Sequence, residues 1–138
     1  MTLVVERLRD AQNSHDARQL ATLFRADYQS SQPAHPNRGF GGSEQVFSNW
    51  STLFDGIPDF TAELLASSVD GDTEWSEWDW RGTYRDGSRF SMRGVIMVTV
   101  RDGFVAAARL YMEPTEFGGS DIDTTVQEFS KPTTDRTR

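Results

Sequence analysis

The stretch "YQSSQPAHPNR", from Tyr28 to Arg38, brings a phenol, an imidazole and a guanidinium together in one short piece of chain. His35 lies between Pro33 and Pro36, whose rings restrict the backbone on both sides and can hold the imidazole in place. Histidine exchanges protons near neutral pH, which is the step that enolisation and aldol cyclisation require. Tyr28 or Arg38 could then stabilise negative charge developing on an oxygen. The same residue types also serve in plainer roles: His35 as a loop residue or structural hydrogen-bond partner, Arg38 as the partner of an acid. A further acid, Glu113, ends the strand-like run "RLYMEP". His15 falls between two helical segments and is expected to be exposed.

Other chemistries find little support in the composition. Cysteine is absent from the 138 residues, which removes disulfides, thiolate catalysis and cysteine-ligated zinc, and two histidines make a histidine-rich metal site improbable. The glycine-rich "GFGGSE" lacks the Lys-Ser/Thr of a phosphate-binding loop and follows no clear βαβ strand, so it reads as a turn into a helix. No nucleophile elbow is visible, and no cofactor is expected. A net charge of −7 opposes extended contact with a phosphate backbone, so nucleic acid is not an expected partner. No apolar run approaches the roughly 18 residues that span a bilayer, and the N-terminus lacks the order of a signal peptide. A soluble cytoplasmic chain with no membrane partner is the expectation.

The elements that must position these residues follow from periodicity. Val4, Leu8 and Ala11, then Leu20, Leu23 and Phe24, recur at helical spacing, with Asp16 and Gln19 marking a helix start after a break near Ser14 to Asp16. "SSQPAHPNRGFGGSEQ", with two prolines and three glycines, reads as a loop after a short strand from Tyr28 to Gln32. Ser43 is placed to cap a third helix whose apolar face carries Val46, Trp50, Leu53 and Phe54. Beyond Phe60, Asp70-Gly71, Asp86-Gly87 and Asp102-Gly103 separate runs rich in β-branched and aromatic residues, which predicts three turns joining four antiparallel strands. After Pro114 a short helix around Asp121 to Phe129 is expected, followed by disorder.

Alternation sorts each strand into two faces. Ser76, Trp78 and Trp80 share one side, as do Phe90, Met92, Gly94, Ile96 and Val98, and Leu110 and Met112. The apolar sides must meet the helices, giving an α+β domain with its core between layers. Glu113 then falls on the outer face, with Arg109, Arg93 and Glu77 as candidate cross-strand partners, unless a bulge before Pro114 re-aims it toward the core. That outer face is either solvated or buried in a homodimer.

The order and spacing of "DGDTEWSEWDWRGTYRDG" and "MRGVIMVTVRDGFVAAARLYMEP", after two helices, an "HP" loop and a third helix, resemble the SnoaL-like polyketide cyclases of the nuclear transport factor 2-like superfamily. The resemblance covers about residues 3 to 114. It implies a cone-shaped α+β barrel, in which a curved antiparallel sheet packs on the three helices of the N-terminal half around a cavity. A domain over 1–118 and a tail over 119–138 follow. A homodimer through the outer sheet face is also implied.

Relatives of this kind include cyclases, ketosteroid isomerases, epoxide hydrolases and binding modules without chemistry, so the fold alone does not choose the activity. Carried over residue by residue, the Arg-x-Asp of the epoxide hydrolases would match Trp78-Asp79-Trp80, which sets Trp80 at its acid, their final-strand Asp would match Leu110, and an acid frequent in cyclases would match Ile96. Apolar side chains replace them, which speaks against the limonene epoxide hydrolase mechanism. The ketosteroid isomerase pairing of an Asp base with an acidic or phenolic oxyanion donor finds no clear equivalent.

The resemblance leaves Tyr28, Gln32, His35 and Arg38 as the polar groups best placed to face the cavity. Trp50, Trp78 and Trp80 with Met92, Leu110 and Met112 either fill the core or also line a slot for a flat apolar ligand. Gly94 favours the slot by removing side-chain volume. The function expected is binding, and acid-base transformation without a cofactor, of a small hydrophobic carbonyl-type molecule. A non-catalytic ligand-binding or dimerisation module of the same fold is the alternative.

Overall fold

The computed structural model of the chain describes residues 2–132. Helices α1 (Val4–Ser14) and α2 (Ala17–Ala21) precede strand β1 (Phe24–Ser31), a 3-10 turn over Pro36–Arg38, strand β2 (Phe40–Gly41) and helix α3 (Ser43–Gly56). Strands β3 (Thr61–Asp70), β4 (Thr73–Thr83), β5 (Arg89–Arg101) and β6 (Phe104–Pro114) follow, and helix α4 (Ile122–Phe129) comes last. One curved six-stranded sheet has the order β2-β1-β6-β5-β4-β3. The four-strand antiparallel meander is present with its Asp-Gly turns, and in the last of them Asp102 (φ 53°) and Gly103 (φ 81°) both take positive φ, the form that matches strand twist.

Three expectations are corrected. The sheet is mixed: β1 runs parallel to β6, with Phe24 opposite Val105 and Ser30 opposite Ala108. The second helix therefore stops at Ala21, and the spacing of Leu20, Leu23 and Phe24 spans a helix end and the beginning of a strand longer than expected. At α3 the N-cap is Gly42, with no side-chain cap, and Ser43 is already inside the helix. The helix expected near the C-terminus is present, capped by Asp121 accepting from Thr124 N–H. The disorder expected at the chain end concerns residues 133–138, which lie outside the described residues.

The apolar faces meet as parity requires. Val5, Leu20, Phe60, Trp78, Val98 and Val105 are the large side chains most completely enclosed. The break between α1 and α2 is fastened to the sheet. Asn13 donates its amide N–H to Ala62 C=O (2.9 Å) and accepts from Ala62 N–H (2.7 Å), and His15, in the left-handed conformation, places Nε2 2.7 Å from Phe60 C=O. A carbonyl only accepts, so Nε2 carries the proton. The ring also stacks on Phe54 at 4.9 Å, so His15 is a structural residue, half covered rather than exposed.

Helix α1 has Leu3 at its N-cap, a side chain with nothing to offer the free N–H groups of the first turn. Glu74 of β4 supplies the acceptor from across the fold: its buried carboxylate takes N–H bonds from Val5 (2.9 Å) and Val4 (3.2 Å), at the positive end of the helix. Glu74→Ala would orphan two buried donors and is expected to lower the unfolding free energy by about 2 kcal/mol in a urea titration. Glu74→Gln, which keeps an acceptor oxygen, should lose less.

Candidate functional site

Between the helices and the inner sheet face lies a cavity of ≈ 250 Å³. Its apolar wall comes from Leu8 of α1, Trp50 and Leu53 of α3, and Met92, Ile96, Leu110 and Met112 of the central strands. Polar groups enter from α1 (Gln12), β1 (Tyr28, Ser30), the following loop (Gln32, Arg38) and α3 (Asn49). Larger clefts, up to ≈ 560 Å³, are open grooves bordered by charged residues such as Asp79, Arg81 and Arg93. The space between helices and sheet has the apolar wall and few polar groups typical of small-molecule sites, and it lies just below their usual lower size of about 300 Å³. Its occupant is therefore small.

Six of the residues singled out in the sequence as ligand contacts line this cavity: Gln32, Trp50, Trp80, Met92, Leu110 and Met112. Trp78 does not. It is 1 % exposed, and its indole N–H donates to Ser76 Oγ (2.8 Å), which in turn donates to Ile96 C=O (2.7 Å), so it belongs to the core. Gly94 does not line it either. A Cβ there would stand 2.0 Å from Tyr111 C=O and 2.9 Å from Met112 Cα, so glycine is required by the close approach of the β6 backbone and not by pocket volume.

The three expected catalytic residues separate. Tyr28 and Arg38 line the cavity, and Arg38 donates to Gln32 Oε1 (3.2 Å) at its exposed mouth. His35 turns to the outside, where Nε2 stands 2.6 Å from Glu113 Oε1. This also settles Glu113. It points away from the cavity on the outer face, and its partner is a loop histidine rather than the expected cross-strand arginines. Arg93 faces Asp79 (3.8 Å) instead, and Asp79 also holds Arg81 (3.3 Å). Phe24, Phe40, Val46, Asn49, Val98, Val105 and Ala108 also line the cavity, none of them singled out in the sequence as a ligand contact.

Burial gives Tyr28 its chemical character. Desolvation of the phenolate pushes the hydroxyl up to about 12, and a hydrogen bond with Ser30 works against that rise. The group thus stays neutral and can donate a hydrogen bond to a ligand oxygen throughout the physiological range. Because the folded pKa is raised above the ordinary value of 10.0, Tyr28 favours the fold fully below pH 10 and loses that contribution as pH climbs through 12. Alkaline denaturation should accordingly set in at higher pH in Tyr28→Phe than in the wild type, read by far-UV circular dichroism.

Among the described residues, those lining the cavity include no Asp, Glu, His or Lys, and Arg38 is their charged group. Trp80, Leu110 and Ile96 present apolar surface to the space. The arrangement can polarise a carbonyl through Tyr28 and Arg38 and shield it from water. No group on the wall other than a neutral one is available to remove a proton.

Residues 5–108 match the SnoaL-like domain family. No curated protein sequence matches the chain. Among solved structures, a protein from Jannaschia sp. CCS1 assigned to the SnoaL-like polyketide cyclases is similar at 20 % identity, with 94 % of this chain and 91 % of that one covered and a TM-score of 0.67. A nuclear transport factor 2-like protein of unknown function from Exiguobacterium sp. 255-15 is 19 % identical over 82 % of this chain and 98 % of that one, with a TM-score of 0.67. A protein with a ketosteroid isomerase-like fold from Catenulispora acidiphila, in complex with trimethylamine, is 18 % identical over 78 % of this chain and 85 % of that one, with a TM-score of 0.66. At these identities the structures share the fold. No helix among the described residues is long and apolar enough to cross a membrane. The chain belongs to the SnoaL-like domain family.

Proposed function

We propose that the protein binds a small, mostly apolar, carbonyl-bearing molecule in the enclosed cavity and holds the carbonyl oxygen with Tyr28 and Arg38. The observation that carries this is the convergence of a neutral, buried phenol and a guanidinium on a space of ≈ 250 Å³ walled by Trp50, Trp80, Met92 and Met112. A phenol that stays protonated is a hydrogen-bond donor to the oxygen, and a cation at the mouth favours the enolate-like charge that develops when the carbonyl is polarised. Both effects support cyclase- or isomerase-type chemistry, and both also serve plain recognition.

The test is thermal denaturation with cyclohexanone. A ligand that binds only the folded chain raises its stability with concentration, and the wild type should show that rise. Ala108→Leu, which adds bulk to the cavity wall, should show little of it, while its own unliganded melting remains cooperative. An equal response in both would move the binding site elsewhere.

A second reading is favoured by the 2.6 Å contact of His35 with Glu113. A carboxylate on Nε2 fixes the ring and leaves Nδ1 free to exchange a proton, the division of labour in a His-carboxylate pair. In this reading proton transfer occurs at the outer edge of the loop that also carries Gln32 and Arg38. Hydrogen-deuterium exchange at the α-carbons of cyclohexanone, followed by NMR, checks it: His35→Ala should abolish any exchange that the wild type catalyses, whereas unchanged exchange removes His35 from the chemistry.

A further inference from the structure

Two side-chain atoms in the cavity wall have no partner in the protein: Gln12 Oε1 on α1 and Trp80 Nε1 on β4. Gln12 is 4 % exposed and Trp80 5 %, so neither is answered by bulk solvent. Native folds leave few such groups, because a buried donor or acceptor without a partner destabilises the chain. The neighbouring indole shows the alternative: Trp78 is equally buried and its N–H is taken up by Ser76 Oγ at 2.8 Å. An unanswered acceptor and an unanswered donor on two residues that line one apolar cavity together fit a ligand group that both donates and accepts.

We propose that Gln12 and Trp80 form the recognition site for a hydroxyl on the ligand, so that the molecule bound is a small neutral hydroxyketone. This rests on the reading of the cavity as a carbonyl-binding site. A hydroxyl is the smallest group that answers both atoms, accepting from Trp80 Nε1–H and donating to Gln12 Oε1. Indole N–H is a donor only and fixes the need for a ligand oxygen; the glutamine oxygen fixes the need for a proton on it. A carboxylate would satisfy the indole but leave Gln12 Oε1 facing an anion. The charged group on the wall, Arg38, sits at the exposed mouth. The ligand's ketone is held by Tyr28 and Arg38, and its hydroxyl by Gln12 and Trp80.

Affinities of meta-hydroxyacetophenone and of acetophenone, measured by calorimetry, separate this proposal from the reading beneath it. The wild type is expected to bind the hydroxylated probe roughly tenfold more tightly. In Gln12→Leu and in Trp80→Phe the ratio of the two affinities should fall toward one, whatever either change does to the affinity for acetophenone. Equal affinities in the wild type, or an unchanged ratio in both variants, overturn the hydroxyl site and leave the carbonyl cavity standing. Binding of neither probe overturns both. A readout without ligand is independent of the probes: Gln12→Leu replaces an unanswered polar group by an apolar one and should raise the melting temperature by a few degrees. A lowered melting temperature would mean that the amide has a partner inside the protein, and the proposal falls.

Discussion

Trp78→Ala is expected to lower the unfolding free energy by about 4 kcal/mol, the scale of a large aromatic truncated in a core. The ring is 1 % exposed, lies 6.4 Å from the ring of Trp80, and donates its N–H into the Ser76 to Ile96 chain of hydrogen bonds. Removing it empties the volume and orphans Ser76 as an acceptor. The milder Trp78→Phe should lose stability yet keep ligand affinity, since Trp78 is not on the cavity wall. Urea titration gives the first quantity and calorimetry with acetophenone the second. A variant that stays stable but loses the ligand would return Trp78 to the binding site.

Gly94→Ala should cost about 3 kcal/mol, unusual for the addition of one methyl group. The obstruction is backbone: Tyr111 C=O at 2.0 Å and Met112 Cα at 2.9 Å from the new Cβ, atoms that cannot swing aside as a side chain would. Relief requires β5 and β6 to part, and those strands carry Met92, Ile96, Leu110 and Met112 into the cavity. Loss of stability should thus be accompanied by weaker ligand binding. Trp78 stands directly opposite Gly94 in the β4 to β5 ladder, so the effects of the two substitutions should not add.

Much of this architecture is legible in the sequence because it is local. The Asp-Gly turns need positive φ where they stand, and alternation along each strand separates Trp78 and Trp80 from Glu77 and Asp79 without reference to any other element. Glu113 is outward for the same reason. What escaped is non-local. The contact of Glu113 with His35 spans 78 positions, and no periodicity links them. The parallel pairing of β1 with β6 turns Phe24 from a helical residue into a strand residue, and only the tertiary partner Val105 decides between the two.

Gly94 was legible as a glycine under constraint but not in its cause, because a missing side chain looks the same whether ligand or backbone occupies the space. Gln12 left a signal that could have been used. It follows Val5 and Leu8 on the buried face of α1, a polar residue where the helical period calls for an apolar one. Glu74 left one of the same kind, a carboxylate with the parity of Ser76, Trp78 and Trp80 on the buried face of β4, but its partners, backbone N–H groups 69 and 70 positions away, did not show.

The most direct test of the central claim uses the four tryptophans as reporters of place. Trp50 and Trp80 line the cavity, Trp78 is sealed in the core against Ser76, and Trp75 is exposed. Two-dimensional proton-nitrogen NMR of the indole N–H groups during titration with acetophenone, with peaks assigned by single Trp→Phe variants, should show concentration-dependent shifts at Trp50 and Trp80 and near-constant positions at Trp75 and Trp78. Saturating shifts at Trp75 with Trp50 and Trp80 unmoved would place the ligand outside the cavity and contradict the account.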